Sequence, residues 1–390
     1  MKGFAYLVMI SPDSNNNRFY RMTQEKDIFI IEMGRVGATP VTLKRPMSLW
    51  DVTYNKKIAE GYMDRSNCCE VNVQGEGKYA PIPEASVKSL IDDLMRYANT
   101  ALSYNYTISW KEVTPTMIHM AQDIIHSMPI NDIETFNQKL ISLFTVIPRK
   151  MKNVVEMMAH EMDDIPVILE REQDLLDVLS AKISQEKKMA ESRREHTVLD
   201  ALGLSVRECT WKESEQIKKH MSDESAHLFL RAFRVNNHKT DERFYTYMKN
   251  HGMTERDIHY YYHGSKNRNY LGIMTEGLLL NPKAPITGKM FGHGIYFASR
   301  AKKSINYTDI SGSYWNNGTM DQAYLMVYKV AYKNPKDIYV WSNEMTTYRK
   351  DVISPHDAVF AHKGVSLVND EIIVYDEAQA TLQYIVELAV

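Results

Sequence analysis

The spacing of apolar residues changes twice along this 390-residue chain, and each change predicts a different kind of structure. Residues 1–80 predict short strands and one helix, residues 84–205 place apolar side chains at helical intervals, and residues 206–390 mix strands, helices and turns. A chain of this length is not expected to form a single core. The sequence therefore predicts a multi-domain α+β protein with a small α/β N-terminal module, an all-α helical bundle and a C-terminal α+β domain.

The first segment contains three β-prone runs, at Tyr6–Ile10, Arg18–Met22 and Asp27–Ile31. A helix is predicted near Leu49–Tyr62. The polar, Gly- and Pro-rich residues 74–83 predict a linker to the next segment.

The middle segment carries apolar stripes over residues 117–128 and 140–147, and a proline directly follows each stripe. A third helix is predicted over about Leu169–Ser184. The charged stretch Ser184–Glu195 is interpreted as a solvated helix end or a linker. Such stripes are typical of core faces and do not by themselves indicate a cofactor site.

Composition excludes several classes of protein. Hydrophobic residues make up 44% and charged residues 25%, with a net charge of −2, so any contact with nucleic acid must rest on a local basic patch. The three cysteines, Cys68, Cys69 and Cys209, lack the spacing of a zinc site and cannot form a disulfide framework, which indicates a reducing compartment. No stretch reaches about 18 apolar residues, so an intracellular protein without a membrane segment is expected.

Four short segments in the last third are interpreted together as one site. They are Tyr262–Ser265, Phe291–Phe297, Lys303–Tyr307 and Asn369–Tyr375. Aromatic rings can sandwich a cationic pyridinium, and glycines let the backbone approach its carboxamide. A carboxylate can hydrogen-bond a ribose hydroxyl, offset positive charge at C1′ and take a proton from an acceptor. This set of residues suits binding a nicotinamide nucleotide and breaking its glycosidic bond.

Each residue alone also fits a purely structural role. A single histidine such as His263 more often has a structural role. Tyr296 and Tyr307, taken alone, would be interpreted as core aromatic residues, and Ser304 could cap a helix. Glu371 fits a structural role least well, because a carboxylate that opens an apolar strand is costly unless it is exposed or used. The combination of the four segments favours a functional site.

In these segments the chain closely resembles the catalytic domain of poly(ADP-ribose) polymerases, in the clade with a His-Tyr-Glu triad. The match runs from about Val206 to the C-terminus and includes Arg231–Val235, Thr240–Phe244 and the loop Ala284–Gly292. The resemblance implies an ADP-ribosyltransferase fold over residues 206–390, with NAD⁺ as substrate and no metal.

The resemblance also implies roles for individual residues. The catalytic residues would be Glu371, His263 and Tyr296, with His263 hydrogen-bonded to the adenosine ribose. Gly264 and Ser304 would bind the nicotinamide carboxamide, while Tyr296 and Tyr307 would hold opposite faces of the ring. The residues implied to bind NAD⁺ are His263, Gly264, Ser265, Asn269, Tyr296, Ser304 and Tyr307.

Two positions depart from the commonest family pattern. Leu279 stands where an arginine near the adenine is frequent, and His293 replaces a common lysine between Gly292 and Gly294.

The upstream segments resemble two further domains of the same family. Residues 84–205 resemble the regulatory helical domain, which limits access of NAD⁺ in that family until DNA is bound. Residues 1–80 resemble the Trp-Gly-Arg domain, although the tripeptide here is Met33-Gly34-Arg35. Methionine lacks the aromatic face with which tryptophan can stack on a base or sugar. Arg35, Lys44 and Arg45 are the residues expected to contact DNA phosphates, or else to form a solvated basic face.

The resulting hypothesis is a protein ADP-ribosyltransferase that makes poly(ADP-ribose), modifies itself among other acceptor proteins, and responds to DNA ends or nicks. Two alternatives stay open at this stage: a mono-ADP-ribosyltransferase acting on protein or nucleic acid ends, and a DNA-end-binding scaffold with a vestigial transferase. No membrane partner is expected. The expected compartment is the cytoplasm for a bacterial or viral protein and the nucleus for a eukaryotic one.

Overall fold

The computed structural model describes residues 3–66, 79–106, 112–191, 196–280 and 289–390. Four features of the sequence lie wholly or partly outside the described residues: the Cys68–Cys69 pair, the linker 74–83, the stretch Ser184–Glu195 and the loop Ala284–Gly292.

The described residues form two compact units. The first contains residues 3–66 together with the described residues between 100 and 183. The second contains residues 79–99 and the described residues from 184 onwards. The chain is mixed α/β, and the division into domains at residues 80, 84 and 205 stays a prediction.

The first unit begins with a sheet and one helix. These elements are β1 (Phe4–Ser11), β2 (Asn16–Glu25), β3 (Ile28–Arg35), β4 (Val41–Pro46), α1 (Trp50–Ala59) and β5 (Met63–Asp64). All strand pairs are antiparallel, in the order β4-β3-β2-β1-β5. The predicted strands and helix are confirmed, and their core includes Leu7, Met22, Phe29 and Trp50.

Long helices follow in the middle of the chain. They are α2 (Ala85–Asn105), α3 (Pro115–His126), α4 (Ile133–Val146) and α5 (Asp164–Glu191). The periodicity predicted α3 and α4 and the central part of α5, and these helices are confirmed. Thr114 and Asp132 accept hydrogen bonds from the first turns of α3 and α4, which explains where those helices begin.

The interpretation of Ser184–Glu195 as a solvated helix end or linker is wrong for the described residues up to 191. α5 continues through them, and Gln185 is 3% exposed. Gln185 Nε2 donates to Thr275 Oγ1 at 3.3 Å, and Lys188 Nζ pairs with Glu276 at 2.7 Å. Long polar side chains can be buried where each polar end finds a partner, and a charge count does not detect that.

The rest of the second unit is built on a large sheet. Its elements are α6 (Val198–Leu202), β6 (Leu204–Glu208), α7 (Trp211–Met221), α8 (Asp223–Ala226), β7 (Phe229–Asn237), α9 (His238–Asn250), β8 (Ile258–His263), α10 (Tyr270–Glu276), β9 (Ile295–Ala298), α11 (Ala301–Ile305), β10 (Gln322–Ala331), β11 (Pro335–Ile338), α12 (Lys350–Ile353), β12 (Ala358–Ala361), β13 (Glu371–Val374) and β14 (Ala380–Ala389). The strand order is β11-β12-β13-β9-β8-β10-β14-β7-β6. Only the β11–β12 pair is parallel among the described strands.

In β14 an apolar residue stands at every second position from Leu382 to Leu388, but this alternation does not separate a buried face from an exposed one. β14 lies between β10 and β7, and polar Thr381, Gln383 and Glu387 are each at most 4% exposed. Glu387 is buried because Arg231 Nε donates to it at 2.5 Å. Glu387 is thus a buried carboxylate whose partners, Arg231 of β7 and Gln322 of β10, come from the two neighbouring strands.

The core of the second unit also takes in part of the long helices. Val87, Leu90, Ile91 and Leu94 of α2 belong to the same buried cluster as residues of β7, β9 and β10, and Met189 of α5 joins it. None of the helices in the described part of the chain is long and apolar enough to cross a membrane.

Candidate active site

The three predicted catalytic residues lie on three neighbouring strands. His263 ends β8, Tyr296 lies in β9, and Glu371 begins β13. Ala298 of β9 pairs with Glu371 on one side and with Tyr262 on the other. Since adjacent strands lie about 4.8 Å apart, this register brings the backbones of β13 and β8 to roughly 10 Å from each other across β9.

His263 is held by the strand beside it. Its Nδ1 lies 2.9 Å from the carbonyl oxygen of Tyr296. A carbonyl oxygen can only accept, so Nδ1 carries the proton and Nε2 remains available to a ligand. Burial lowers the pKa of His263, which favours the neutral ring at physiological pH.

The glycine that follows permits a close approach of two elements. A Cβ at Gly264 would lie 1.8 Å from the carbonyl oxygen of Ser304, so the backbone there accommodates only glycine. Ser304 is buried in α11, and its carbonyl accepts the Tyr307 N–H at 3.1 Å. The segments that hold Gly264, Ser304 and Tyr307 are therefore joined at one point, although they are distant in sequence.

Two further residues implied to bind the nucleotide contact each other. Asn269 Nδ2 donates to Ser265 Oγ at 3.0 Å, just before α10 begins at Tyr270.

Tyr296 is anchored at its hydroxyl group. The hydroxyl accepts from the Phe291 N–H at 2.9 Å and donates to the Gly292 carbonyl at 3.0 Å. Burial raises the pKa of Tyr296, so it stays a neutral phenol. Gly292 has a φ of +69°, and a Cβ there would lie 2.1 Å from the Tyr348 carbonyl oxygen. With both hydroxyl bonds made to this tight turn, Tyr296 has its ring face left for contact with a ligand.

Tyr307 remains accessible, with 42% of its surface exposed. Its ring stacks on that of Trp315, with centroids 6.2 Å apart and an interplanar angle of 23°.

Lys303 is a site residue to which the sequence argument gave no role. Its Nζ forms an ion pair with Glu371 Oε1, and both side chains are largely buried. Burial lowers the pKa of Lys303 to about 8, against an opposing effect of the nearby Asp370 carboxylate. Lys303 directly precedes Ser304 in the sequence, but nothing in that spacing indicates a pair with a carboxylate 68 residues away.

The arrangement combines several chemical functions on three neighbouring strands in the middle of the sheet. His263 Nε2 can bind a hydroxyl group, Tyr296 offers a ring fixed at its hydroxyl, and Glu371 offers a carboxylate whose position is set by Lys303. Such a set can bind a sugar, hold a planar ring and stabilise positive charge between them. In the described part of the chain, no group of three or more His, Cys, Asp or Glu side chains could hold a metal ion.

The residues expected to bind DNA belong to the first unit, whereas the site residues above belong to the second. The Arg35 guanidinium donates to the carbonyl oxygens of Asn15, Met151 and Lys152 at 2.8–3.1 Å. Lys44 and Arg45 lie on β4, whose residues are all exposed. Contact between these three residues and DNA stays a prediction.

A family model for the poly(ADP-ribose) polymerase catalytic domain matches residues 210–390. The chain is also 30% identical, over 132 residues, to the putative poly [ADP-ribose] polymerase-like protein 100L of Invertebrate iridescent virus 6. That match covers 32% of this chain and 68% of the viral protein. The chain belongs to the poly(ADP-ribose) polymerase family.

Two further relatives match this chain over longer stretches. It is 30% identical over 205 residues to uncharacterized protein 101L of the same virus, a match that covers 51% of this chain and 85% of that protein. It is 31% identical over 151 residues to a poly [ADP-ribose] polymerase of Sarcophaga peregrina. The latter match covers 33% of this chain but only 15% of the fly protein.

The matches confirm the resemblance of the last segment to the family's catalytic domain and indicate its type of chemistry, while the clade and the two accessory domains stay predictions. The chain carries an ADP-ribosyltransferase domain, and domains of this family use NAD⁺ as substrate. The matched residues 210–390 include the described parts of all four segments of the site. NAD⁺ fits the residues present, because aromatic rings such as those of Tyr296 and Tyr307 suit a cationic pyridinium ring, and a glycine such as Gly264 lets the backbone approach its carboxamide.

Proposed function

We propose that the chain is an NAD⁺-dependent protein ADP-ribosyltransferase that elongates its product to poly(ADP-ribose), modifies itself, and is stimulated by DNA breaks. The observation that carries the proposal is Glu371 at the head of β13, paired with Lys303 and two strands away from His263. A carboxylate in that place can act on both the donor ribose and the incoming acceptor.

In the proposed reaction the bond between C1′ of the ribose and the nicotinamide nitrogen breaks, and its electron pair leaves with nicotinamide. Tyr296 and Tyr307 hold the ring until it leaves, and Glu371 offsets the positive charge that develops on the ribose. An acceptor oxygen forms the new bond to C1′ and transfers its proton to the Glu371 carboxylate. His263 orients the donor through its Nε2.

Elongation requires that the acceptor be a hydroxyl group of a previously added ADP-ribose unit. Such a hydroxyl is a weak nucleophile, because it is uncharged at neutral pH, and a positioned base speeds its attack. Glu371 supports this step. A mono-ADP-ribosyltransferase is the competing outcome.

The test is incubation of the purified chain with labelled NAD⁺, followed by measurement of released nicotinamide and gel separation of the labelled protein. A ladder on the chain itself would support poly(ADP-ribose) synthesis and self-modification. A single labelled band would replace elongation by mono-transfer, and no release of nicotinamide would reject transferase activity.

Stimulation by DNA rests on the resemblance of residues 1–80 and 84–205 to the family's accessory domains. The exposed Lys44 and Arg45 of β4 are available to phosphates in the first unit. The same assay with and without nicked duplex DNA tests this part separately. Equal rates of nicotinamide release in both conditions would reject DNA stimulation and leave the transferase proposal intact.

A further inference from the structure

The connection between α11 and β10 exposes two adjacent aromatic side chains. We call residues 308–318 the aromatic loop. Tyr314 is 70% exposed and Trp315 is 60% exposed, and their rings meet edge to face with centroids 4.8 Å apart. Large exposed aromatic side chains in contact are uncommon on a protein surface without a role.

The aromatic loop is held together by internal hydrogen bonds and by a close contact between its two arms. Ser313 Oγ donates to the Thr308 carbonyl at 2.8 Å and accepts from the Gly318 N–H at 2.9 Å. A Cβ at Gly318 would lie 2.0 Å from the Ile310 carbonyl oxygen, so the two arms of the loop touch. These contacts fix the backbone that carries Tyr314 and Trp315.

The aromatic loop is also fastened to the segment that presents Tyr307. The Trp315 N–H donates to the Asn306 carbonyl at 3.0 Å, and Asn316 Nδ2 donates to the Tyr307 carbonyl. The Trp315 ring itself stacks on the Tyr307 ring, at 6.2 Å between centroids and 23° between planes. Two consecutive residues of the loop therefore hold Tyr307: Trp315 contacts its ring, and Asn316 binds its main-chain carbonyl.

We propose that Trp315 is a positioning residue for NAD⁺: it stacks on Tyr307 and sets the plane in which that ring receives the nicotinamide. The proposal rests on the proposed function, because it takes Tyr307 to be the ring that nicotinamide contacts. Trp315 acts through Tyr307 and touches neither reacting atom.

The physical basis is preorganisation. A half-exposed tyrosine ring without a neighbour samples several orientations, and binding must then select one of them. The Trp315 ring restricts Tyr307 before NAD⁺ binds, so less conformational entropy of the Tyr307 side chain is lost on binding. Ordering one side chain at a binding site corresponds to roughly a two- to tenfold change in affinity.

The test compares wild type with Trp315→Ala and Trp315→Phe. Trp211→Ala is the matched control, because Trp211 is 80% exposed in the same unit and is not part of the site. For each protein, KM and kcat are measured from nicotinamide release at varied NAD⁺, and the affinity for nicotinamide alone is measured by calorimetry.

Trp315→Ala is expected to raise KM for NAD⁺ and weaken nicotinamide binding, each by roughly two- to tenfold, with kcat changed by less than about twofold. Trp315→Phe, which keeps an aromatic face, should recover most of the loss, and Trp211→Ala should match wild type. Since Trp315 is mostly exposed, its replacement should leave the thermal unfolding midpoint nearly unchanged.

Unchanged KM and nicotinamide affinity in Trp315→Ala would overturn the proposal, as would equal losses in the Ala and Phe variants. A fall in kcat alone would also overturn it, since a ring that only positions nicotinamide acts on binding. If wild type releases no nicotinamide, the proposed function fails instead. The calorimetric comparison then still decides whether Trp315 shapes a nicotinamide site.

Discussion

The resemblance predicts ligand contacts at two segments, one around Gly264 in the second unit and one at Met33-Gly34-Arg35 in the first, yet the polar groups of the two segments are used differently. Around Gly264, protein contacts fix the backbone and leave the His263 Nε2 and the Tyr296 ring face for a ligand. In the other segment, the Arg35 guanidinium bonds to three backbone carbonyl groups of its own unit. Met33 packs against the core of the module.

A predicted contact residue therefore need not face a ligand. Arg35 donates to carbonyl groups of two segments of its own unit, at Asn15 and at Met151 and Lys152, which is a structural use of a charged side chain. Around Gly264, by contrast, the contacts with protein are made by the backbone, by His263 Nδ1 and by the Tyr296 hydroxyl. The predictions below test whether the two regions really differ in this way.

The largest effect is expected for Glu371→Gln. The amide keeps the shape of the side chain but can neither take a proton nor offset positive charge, so transfer should fall by about 10²–10⁴-fold. NAD⁺ binding, measured by calorimetry, should change far less. Glu344→Gln, at an exposed carboxylate of the same unit, serves as the control. Full-length polymer from Glu371→Gln would contradict the assigned role.

Gly264→Ala should come next. Its Cβ would meet the Ser304 carbonyl at 1.8 Å, so α11 must shift away from the site. Misplacement of binding groups by about 1 Å can cost on the order of 10²-fold in kcat/KM. Gly364→Ala is the matched control, because its Cβ would have no neighbour nearer than 3.9 Å. Similar kcat/KM values for the two variants would show that the close approach does not matter.

Arg35→Ala should act mainly on stability. Loss of the guanidinium removes three hydrogen bonds to backbone carbonyl groups, two of them exposed, and the free energy of unfolding should fall by about 1–2 kcal/mol. Chemical denaturation followed by circular dichroism measures it. Lys44→Ala, at an exposed position of β4, should change it by less than about 0.5 kcal/mol. An Arg35→Ala protein with full stability but weakened DNA binding would reverse the comparison and make Arg35 a ligand contact.

A smaller effect is expected from pH. As the pH rises through about 8, Lys303 loses its proton and Glu371 loses its cationic partner, so kcat should decline on the alkaline side. Lys303→Arg stays charged and should lack this limb. The pKa of Lys303 in the folded state lies below its unfolded value of 10.5. Burial of the charged side chain therefore destabilises the folded protein fully below pH 8, and this destabilisation is lost between about pH 8 and 10.5. A pH–rate profile identical in both proteins would exclude Lys303 as the titrating group.

The smallest effect should come from the double change Lys44→Ala and Arg45→Ala. If these side chains bind phosphates, DNA affinity should fall and its dependence on salt should weaken, while basal nicotinamide release stays the same. Fluorescence anisotropy with labelled nicked duplex at several salt concentrations measures both. An unchanged salt dependence would show that Lys44 and Arg45 do not contact phosphates.

The sequence was informative where local pattern decides the outcome. Apolar spacing predicted α3 and α4, and β-prone runs predicted the strands β1 to β3, because both signals are local in the sequence. It did not detect that residues of α2 join the core of the large sheet, or that α5 continues past Ser184, since both depend on partners distant in the chain.

The site was predicted in part for the same reason. Family resemblance selected His263, Tyr296 and Glu371, and the structure brings them onto neighbouring strands. The pairing of Lys303 with Glu371 and the stacking of Trp315 on Tyr307 arise only when β13, α11 and the aromatic loop are placed together. No spacing rule in the sequence encodes either contact.

The central claim is that this site breaks the bond between ribose and nicotinamide and that Glu371 directs the ribosyl group to an acceptor. Its most direct test is quantification of nicotinamide and protein-bound ADP-ribose made by wild type and by Glu371→Gln, each saturated with NAD⁺. The claim predicts release of nicotinamide with matching ADP-ribose on protein for wild type, and loss of most of both for Glu371→Gln. Equal yields from the two proteins, or bound NAD⁺ that wild type leaves intact, would contradict it.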